Sequence, residues 1–379
     1  MNSSFGAATV ASMVAVDRAA ADLRRGGFVV IEGPADAVLA QAAETVTSES
    51  LARLGRLGNG ATRLALTANR ARVLDLPAAA SQVVALPLSN GIDSQAIRWL
   101  ADPTCTGRPP LPQAMRLEGA AEGSCLAAAI NLSKLAQLLP AALCTPLPGG
   151  TAAQQNAIAG SGDLLRVKVG AIADYPTLVA ETLRPVSEAR LPLAAAERGR
   201  IVGFRPADGS VEQFAILIGD PAAHQPTLCR LHSECFTGDL LGSLRCDCGP
   251  QLQRALRLMG EAGHGVLLYL AHEGRGIGLI NKLRAYQLQD DGFDTLDANQ
   301  HLGFEPDERT YRAAAIMLGH LGIRSVRLLT NNPRKVAALI EEGIEVSERV
   351  PHALPANPHN RAYLSAKATR AGHLLETEG

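Results

Sequence analysis

The chain lacks an excess of either charge: 36 Lys+Arg stand against 37 Asp+Glu, a formal net charge of -1. That excludes a global basic field for nucleic acid or an anionic membrane surface, so any anion must be met locally. No uncharged apolar run reaches the ~18 residues that a spanning helix needs. The opening M-N-S-S-F-G-A-A-T-V has no basic residue ahead of its apolar part, so no secretory signal is supported and a cytoplasmic location is expected. Internal repeats are absent, and no histidine precedes His224. Hydrophobic residues make up 47% and charged residues 19%, which excludes wholesale disorder. With 379 residues, the chain exceeds the ~250–300 at which one core stops growing, so two domains are expected.

Seven cysteines, an odd number, argue against a disulfide framework and for metal binding, catalysis or burial. Cys105, Cys125 and Cys144 are scattered, whereas Cys229, Cys235, Cys246 and Cys248 crowd together. All nine histidines also fall in the second half. Chemistry is therefore expected C-terminally.

The first half reads as α/β. A helical run at Val16–Arg25 stops at Gly26-Gly27, a β-branched run follows at Phe28–Ile31, and a helical pattern extends from Val38 to Leu57. Pro146–Gly162 is rich in Gly and Pro and reads as a loop. A seam near Arg184–Arg198, with Pro185 and Pro192, places the domain boundary at about residue 190, giving domains 1–190 and 191–379. Beyond it, strands are expected at Ile201–Arg205, Gln213–Ile218, Thr227–Leu231, Gly265–Ala271 and Val326–Thr330. Helices are expected at Pro250–Gly260, Ile277–Gln289, Arg309–Leu321 and Pro333–Glu342. This alternation implies a mixed α+β or α/β fold whose active loops follow strand ends.

The strongest local signal is R-L-H-S-E-C-F-T-G-D-L-L-G-S-L-R-C-D-C-G, which spaces three thiols as Cys235, Cys246 and Cys248. Residues one apart in a strand face opposite ways, so the Cys-x-Cys must sit in a turn, which Asp247 and Gly249 favour. Three thiolates suit zinc and leave a fourth tetrahedral position for water, as in a hydrolase. A structural zinc closed by Cys229 or His232, or a group of buried thiols, fits the spacing as well. Around the cluster stand groups suited to a polyphosphate: Arg230, then E-G-R-G-I-G-L with Arg275, then L-L-T-N-N-P-R-K with Thr330, Arg334 and Lys335. Thr330–Pro333 would close a strand and open a helix whose free N–H groups favour phosphate. The glycines match neither the dinucleotide fingerprint nor a Walker loop, and each cation taken alone could be a solvated surface charge. L-G-F-E-P-D-E-R-T-Y puts Asp307 and Arg309 at the expected start of a helix, where acidic residues are also preferred for capping alone.

In order and spacing, Arg230–Gly249, Glu273–Leu279, Tyr286, Asp294–Asn299, Asp307–Arg309, Leu328–Lys335 and a late R-A-Y-L-S-A-K-A-T-R-A-G-H-L-L resemble the GTP cyclohydrolase II family, over about residues 193–375. The resemblance implies that Cys235, Cys246 and Cys248 hold one catalytic zinc per chain. It implies a GTP site at Arg230, Leu231, His232, Ser233, Glu234, Gln251, Glu273, Gly274, Arg275, Thr295, Thr330 and Lys335, with Mg²⁺ on the triphosphate. Asp307 matches the family's proton acceptor and Arg309 its proposed nucleophile at the α-phosphorus. Arginine stays protonated and has no free lone pair, so bidentate stabilisation of phosphoryl charge is the sounder role. Tyr286 is the candidate for orienting the base or the attacking water; a buried helix tyrosine is the plain reading. The implied reaction opens the imidazole ring of GTP, releases formate and pyrophosphate, and starts the route to riboflavin; a homodimer is also implied. Cys229 departs from the pattern, and core burial on its strand is expected.

The first half resembles, more faintly, the 3,4-dihydroxy-2-butanone 4-phosphate synthase family in A-D-L-R-R-G-G-F-V-V-I, A-A-E-T-V-T-S-E-S-L-A-R-L and L-A-L-T-A-N-R-A-R-V-L-D-L-P. That family's acidic D-R-E-N-E-G-D run is replaced here by Glu32-Gly33-Pro34-Ala35-Asp36-Ala37, and its Gly-His-Thr by Gly123-Ser124-Cys125. The expectation is a degenerate, catalytically silent domain ahead of a cyclohydrolase. A bifunctional riboflavin enzyme and a non-catalytic GTP-binding regulator are the alternatives.

Overall fold

The computed structural model describes residues 5–370, apart from 59–61, 77–80, 89–91, 108, 110–114 and 148–163, together with 372 and 374. The chain forms two compact units. One comprises Met1–Tyr175 with Ile280–Phe293 and Asp297–Asp307; the other comprises Pro176–Leu279, Asp294–Leu296 and Glu308–Gly379. Each is a mixed α/β unit with its own seven-stranded sheet.

In the first unit the sheet runs β5-β4-β3-β6-β2-β1-β7, with β1 at Val29–Glu32, β2 at Ala37–Ala42, β3 at Arg63–Thr67, β4 at Val83–Pro87, β5 at Glu118–Gly119, β6 at Ala141–Pro146 and β7 at Arg166–Lys168. The opening helix α1 covers Ala7–Arg24. The stretch from Val38 departs from the expected helix: β2 lies between β1 and β6, and helix α2 begins only at Ser48. Val38, Leu39, Ala40 and Ala42 are buried within the sheet, and Ala and Leu there follow the pairing on both sides rather than their helical preference. The expected loop at Pro146–Gly162 lies almost wholly outside the described residues.

The second sheet runs β14-β13-β11-β12-β10-β9-β8. Its strands are β8 at Arg184–Arg190, β9 at Gly199–Arg205, β10 at Gln213–Ile218, β11 at Thr227–Ser233, β12 at Gly265–Leu270, β13 at Ser325–Leu329 and β14 at Glu345–Val350. The segment read as a seam at Arg184 is thus the exposed edge strand of this sheet, and the units divide between Tyr175 and Pro176, inside the helix Val169–Glu181. Strands β11, β12, β13 and β14 are parallel neighbours, whereas β8, β9 and β10 are antiparallel.

Alternation along the central strands separates two cores. Cys229, Leu231, Val266, Leu268, Leu270, Val326 and Leu328 pack with Met317 and Leu318 of the helix Arg312–His320. Leu228, Leu267 and Leu329 pack on the other face with Ala255, Leu256 and Met259 of the helix Cys248–Ala262. Each such buried aliphatic side chain contributes about 1.5–3 kcal/mol relative to exposure. Beyond shifts of one or two residues at element ends, two features differ from expectation: Asp307 and Arg309 precede the helix, which starts at Arg312, and a further helix occupies Thr295–His301. Among the described residues no helix is long and apolar enough to cross a membrane.

Candidate active site

In the second unit, chemistry-bearing side chains gather beyond the C-terminal ends of the parallel strands β11, β12 and β13, where ligands bind in such sheets. The chain leaves β11 through Glu234, whose N–H donates to Leu270 O at 2.8 Å, and enters a one-turn π-helix at Phe236–Leu240. This turn brings Cys235 opposite the Cys246–Cys248 turn that opens the helix Cys248–Ala262. The three Sγ atoms lie within 4.8 Å of one another, and Cys235 Sγ is 3.8 Å from Cys246 Sγ. A tetrahedral ion with Zn–S bonds of about 2.3 Å has sulfur–sulfur edges of about 3.8 Å, so the donor set fits zinc.

The cradle depends on a missing side chain. A Cβ at Gly238 would lie 2.9 Å from Cys246 Sγ and 3.1 Å from Cys235 Sγ. The Gly238 N–H instead points at Cys235 Sγ from 3.3 Å. Contact with Cys235 is the main cause that pushes the Cys246 thiol up to about 11; the same contact, then Cys246 and burial, raise Cys248 as well. Three adjacent thiolates therefore call for a compensating cation. Cys229, on the opposite face of β11, is fully buried among Leu231, Val266 and Leu328, and burial pushes its thiol up to about 12. It belongs to the core and not to the thiol group.

Behind Cys235 stands a polar brace that the sequence did not announce. Asp239 accepts from the Cys235 N–H at 3.1 Å, from Tyr269 Oη at 3.0 Å and from His232 Nε2 at 3.0 Å. Burial lowers the His232 pKa in spite of that carboxylate, which favours the neutral ring. A second brace holds the Cys-x-Cys turn. Asp247 pairs with Lys367 at 2.8 Å and accepts from Gln251 Nε2, while Gln251 Oε1 accepts from Arg230 Nη2. Burial lowers Lys367, but Asp247 outweighs it and raises the ammonium pKa. Lys367 lies on the helix Arg361–Thr369, more than a hundred residues beyond the turn that it steadies.

Three cations meet at the end of β11. Arg230 is buried, and its Nη1 donates to Leu329 O at 2.8 Å. Lys335 Nζ donates to Leu231 O at 2.8 Å, so Leu231 takes part through its carbonyl while its side chain stays in the core. Arg309 Nη1 donates to Ser233 Oγ at 3.2 Å. The Tyr311 ring lies between two of them, with Lys335 Nζ at 5.8 Å and Arg309 Cζ at 5.9 Å from its centroid. Thr330 Oγ1 accepts from the Asn332 N–H at 3.1 Å, and Asn332 caps the helix Pro333–Glu341 that carries Lys335. Beyond β12, Glu273 accepts from the Phe236 N–H at 2.6 Å and from the Gly274 N–H at 3.0 Å. Gly274 and Arg275 have φ of 62° and 64°; for arginine this left-handed conformation is uncommon and bends the loop sharply. Arg275 O accepts from the Glu308 N–H at 3.2 Å, which ties the loop to the residue before Arg309.

Thr295, at the head of the helix Thr295–His301, belongs to the second unit. Tyr286, on the helix Leu279–Asp290, and Asp307 belong to the first unit. Lys282 Nζ lies 5.8 Å from the Tyr286 ring centroid. The remaining site candidates, Arg230 through Cys235 with Cys246, Cys248, Gln251, Glu273–Arg275, Arg309, Thr330 and Lys335, belong to the second unit. Asp239, Tyr269, Lys367 and Gly238 were missed in the sequence, and Asp247 was read only as a turn residue; the glycine between cysteines was a visible signal, whereas a buried acid looks like any other acid until its partners are known.

A family model described as GTP cyclohydrolase II matches residues 184–351. A protein of Azospirillum brasilense named GTP cyclohydrolase-2 is 51% identical over 368 residues, covering 96% of this chain and 95% of its own. One of Pseudomonas syringae pv. tomato with the same name is 52% identical over 193 residues, 51% of this chain and 94% of its own. Among solved structures, a two-domain 3,4-dihydroxy-2-butanone 4-phosphate synthase from A. baumannii covers 89% of this chain and 99% of its own at 18% identity, with a TM-score of 0.35. A cation-free form of a synthase of that name covers 43% of this chain and 96% of its own at 22% identity, with a TM-score of 0.33.

Proposed function

The chain belongs to the GTP cyclohydrolase II family, and on that premise we propose that it hydrolyses GTP, opening the imidazole ring, releasing C8 as formate and the outer phosphates as pyrophosphate, and leaving a diaminopyrimidinone ribosyl phosphate. The observation that carries the reading is the convergence of three thiols fit for zinc with Arg230, Lys335 and Arg309 around one strand end. The family model matches residues 184–351, and a Pseudomonas relative that matches only about half of this chain bears the same name as the longer one, which supports placing the activity in the second half.

Cys235, Cys246 and Cys248 would hold the zinc ion, which when bound supplies Lewis acidity and activates water near neutral pH. Asp239 fixes Cys235 through its backbone, and Asp247 fixes the Cys-x-Cys turn. Lys335 and Arg309 meet phosphate charge, the lysine as a point charge and the arginine by a bidentate fork, with Mg²⁺ accompanying the triphosphate. Arg230 bonds a carbonyl and Gln251 and so shapes the site from below. Glu273, whose two carboxylate oxygens each accept from a backbone N–H group, is a suitable partner for the guanine N–H donors. Asp307 accepts a proton, and Tyr286 orients the base or the water.

In the first half, Glu32 pairs with Arg166 at 2.8 Å and the Cys125 thiol lies 3.4 Å from Asp36 Oδ1. These contacts support a domain without synthase activity. The reading also makes the protein a cytoplasmic homodimer acting at the first step toward riboflavin.

The test is purified protein with GTP and Mg²⁺, following formate and the diaminopyrimidinone together with zinc content. Both products with about one zinc per chain are expected, as befits one three-thiolate site. Cys246→Ser should lose zinc and formate together. GTP binding without formate would instead make the protein a regulator.

A further inference from the structure

The family model ends at residue 351, but the second unit continues beyond it. We propose that the segment 352–370 is a positioning strap for the thiol cradle, with Lys367 as the positioning residue that holds the Cys246–Cys248 turn through Asp247. All the residues concerned belong to the second unit, and the inference rests on the zinc reading of the three thiols given above.

At the start of the segment His352 is fully buried, and its N–H donates to Asn331 Oδ1 at 2.8 Å. Its Nε2 lies 3.0 Å from Gln251 O; a carbonyl only accepts, so the ring proton sits on Nε2. Arg254 Nη1 donates to Ala353 O, so two residues one turn apart on the helix Cys248–Ala262 hold the first two residues of the strap. Asn357 Nδ2 then donates to Leu244 O at 3.3 Å, two residues ahead of Cys246. Asn357 Oδ1 accepts from the N–H groups of His359 and Asn360, while Asn360 Oδ1 accepts from the Asn357 N–H, a turn that launches the helix Arg361–Thr369. On that helix Tyr363 and Lys367 stand four apart and share a face, with Lys367 Nζ 4.2 Å from the Tyr363 ring centroid. The ring confines the ammonium that meets Asp247 Oδ1 at 2.8 Å. Beyond the helix Arg370 pairs with Asp294, and the Leu374 N–H donates to Asn331 O at 2.8 Å. The chain thus leaves from and returns to Asn331, which lies between Thr330 and the helix that carries Lys335, and it grips the Cys246–Cys248 turn on the way. The Asp247 side chain is 5% exposed and that of Lys367 11%, so water satisfies neither charge. A buried carboxylate is stable only where it is paired and hydrogen-bonded, and Lys367 with Gln251 supplies both. That condition holds the turn in the conformation in which Cys246 and Cys248 lie within 4.8 Å of Cys235. Groups that orient metal ligands from behind govern affinity without touching the ion.

The test is zinc competition against a chromophoric chelator on the full-length protein without GTP, below its melting temperature. Lys367→Met should bind zinc about ten- to a hundred-fold more weakly, the usual loss when a partner behind a metal ligand is removed. Lys367→Arg, which keeps the charge, should bind zinc more tightly than Lys367→Met. In the zinc-free Lys367→Met protein, amide hydrogen exchange should quicken at residues 244–248 and not in β9 or β10. Asn357→Ala leaves the ion pair in place and should weaken zinc binding by a smaller factor. Parental zinc affinity in folded Lys367→Met would overturn the inference, as would exchange quickening across the whole second unit, the mark of a stability element only. Should Lys367→Met fail to fold, parental zinc affinity in Asn357→Ala would overturn it equally. A parent protein that binds zinc but releases no formate from GTP would refute the proposed reaction and leave the strap standing; one whose thiols bind no zinc would refute both.

Discussion

Gly238→Ala is the sharpest single probe of the metal reading. The added Cβ would lie 2.9 Å from Cys246 Sγ, 3.0 Å from Cys248 Cβ and 3.1 Å from Cys235 Sγ. Ordinary non-bonded contacts between such atoms lie at about 3.5–4.0 Å, so all three neighbours are overlapped by roughly half an ångström. Without metal, the Cys235 and Cys246 thiols can rotate to another χ1 well at small cost, which leaves only the Cys248 Cβ to give by a few tenths of an ångström. With zinc bound, the sulfurs must return to their shared centre, and coordination distances tolerate only about ±0.2 Å. The overlap is then charged to metal binding, at the ~1–3 kcal/mol typical of overpacking. That corresponds to zinc bound about 5- to 150-fold more weakly. The assay is zinc competition against a chromophoric chelator, with circular dichroism and melting of the zinc-free proteins as controls. The zinc-free variant should melt within a few degrees of the parent while its zinc affinity falls. An affinity within twofold of the parent would refute the idea that Gly238 is required by the cradle, and a collapse of the zinc-free fold would make the glycine a packing residue only.

Three further outcomes follow from the same geometry. Lys367→Met strands Asp247 in a buried position, and because Arg230 still offers some compensation the loss should sit near the low end for broken buried pairs, about 3 kcal/mol, or a fall in Tm of roughly 6–12 °C; an unchanged Tm would show the pair to be dispensable. At neutral pH, an alkylating reagent followed by peptide mass analysis should label Cys105, which is exposed, and spare Cys144 and Cys229, whose thiols burial pushes up to about 12; Cys235, Cys246 and Cys248 should gain label only after chelation, and equal labelling with and without chelator would contradict a bound metal. Purified protein given ribulose 5-phosphate and Mg²⁺ should form no dihydroxybutanone phosphate, and its appearance would make the enzyme bifunctional.

Much of the second half was legible from sequence because its signals are local. Gln213–Ile218 is a strand with the expected bounds, and the helix opened by Pro333 ends within one residue of its expected limit. Proline at the first helical turn, β-branched runs and glycine stops act through nearest neighbours, and neighbours are what a sequence displays. The three thiols were visible as a spacing, and a tight turn between Cys246 and Cys248 allows few other geometries. Tertiary structure decided the rest. Whether Val38–Ala42 is strand or helix depended on β1 and β6, the latter about a hundred residues away, since pairing on both sides outweighs the helical preference of alanine and leucine. Cys229 became a core thiol and Arg230 a site residue because adjacent side chains on β11 point to opposite faces, each meeting a different helix. The placing of residues 280–293 and 297–307 with the first half goes with Arg70, Thr67 and Arg284 finding partners about 230 to 240 positions distant. No periodicity encodes such contacts. They arise because a polar group buried by the fold must find a hydrogen-bonding partner wherever the chain brings one, and only the folded chain determines which partner that is.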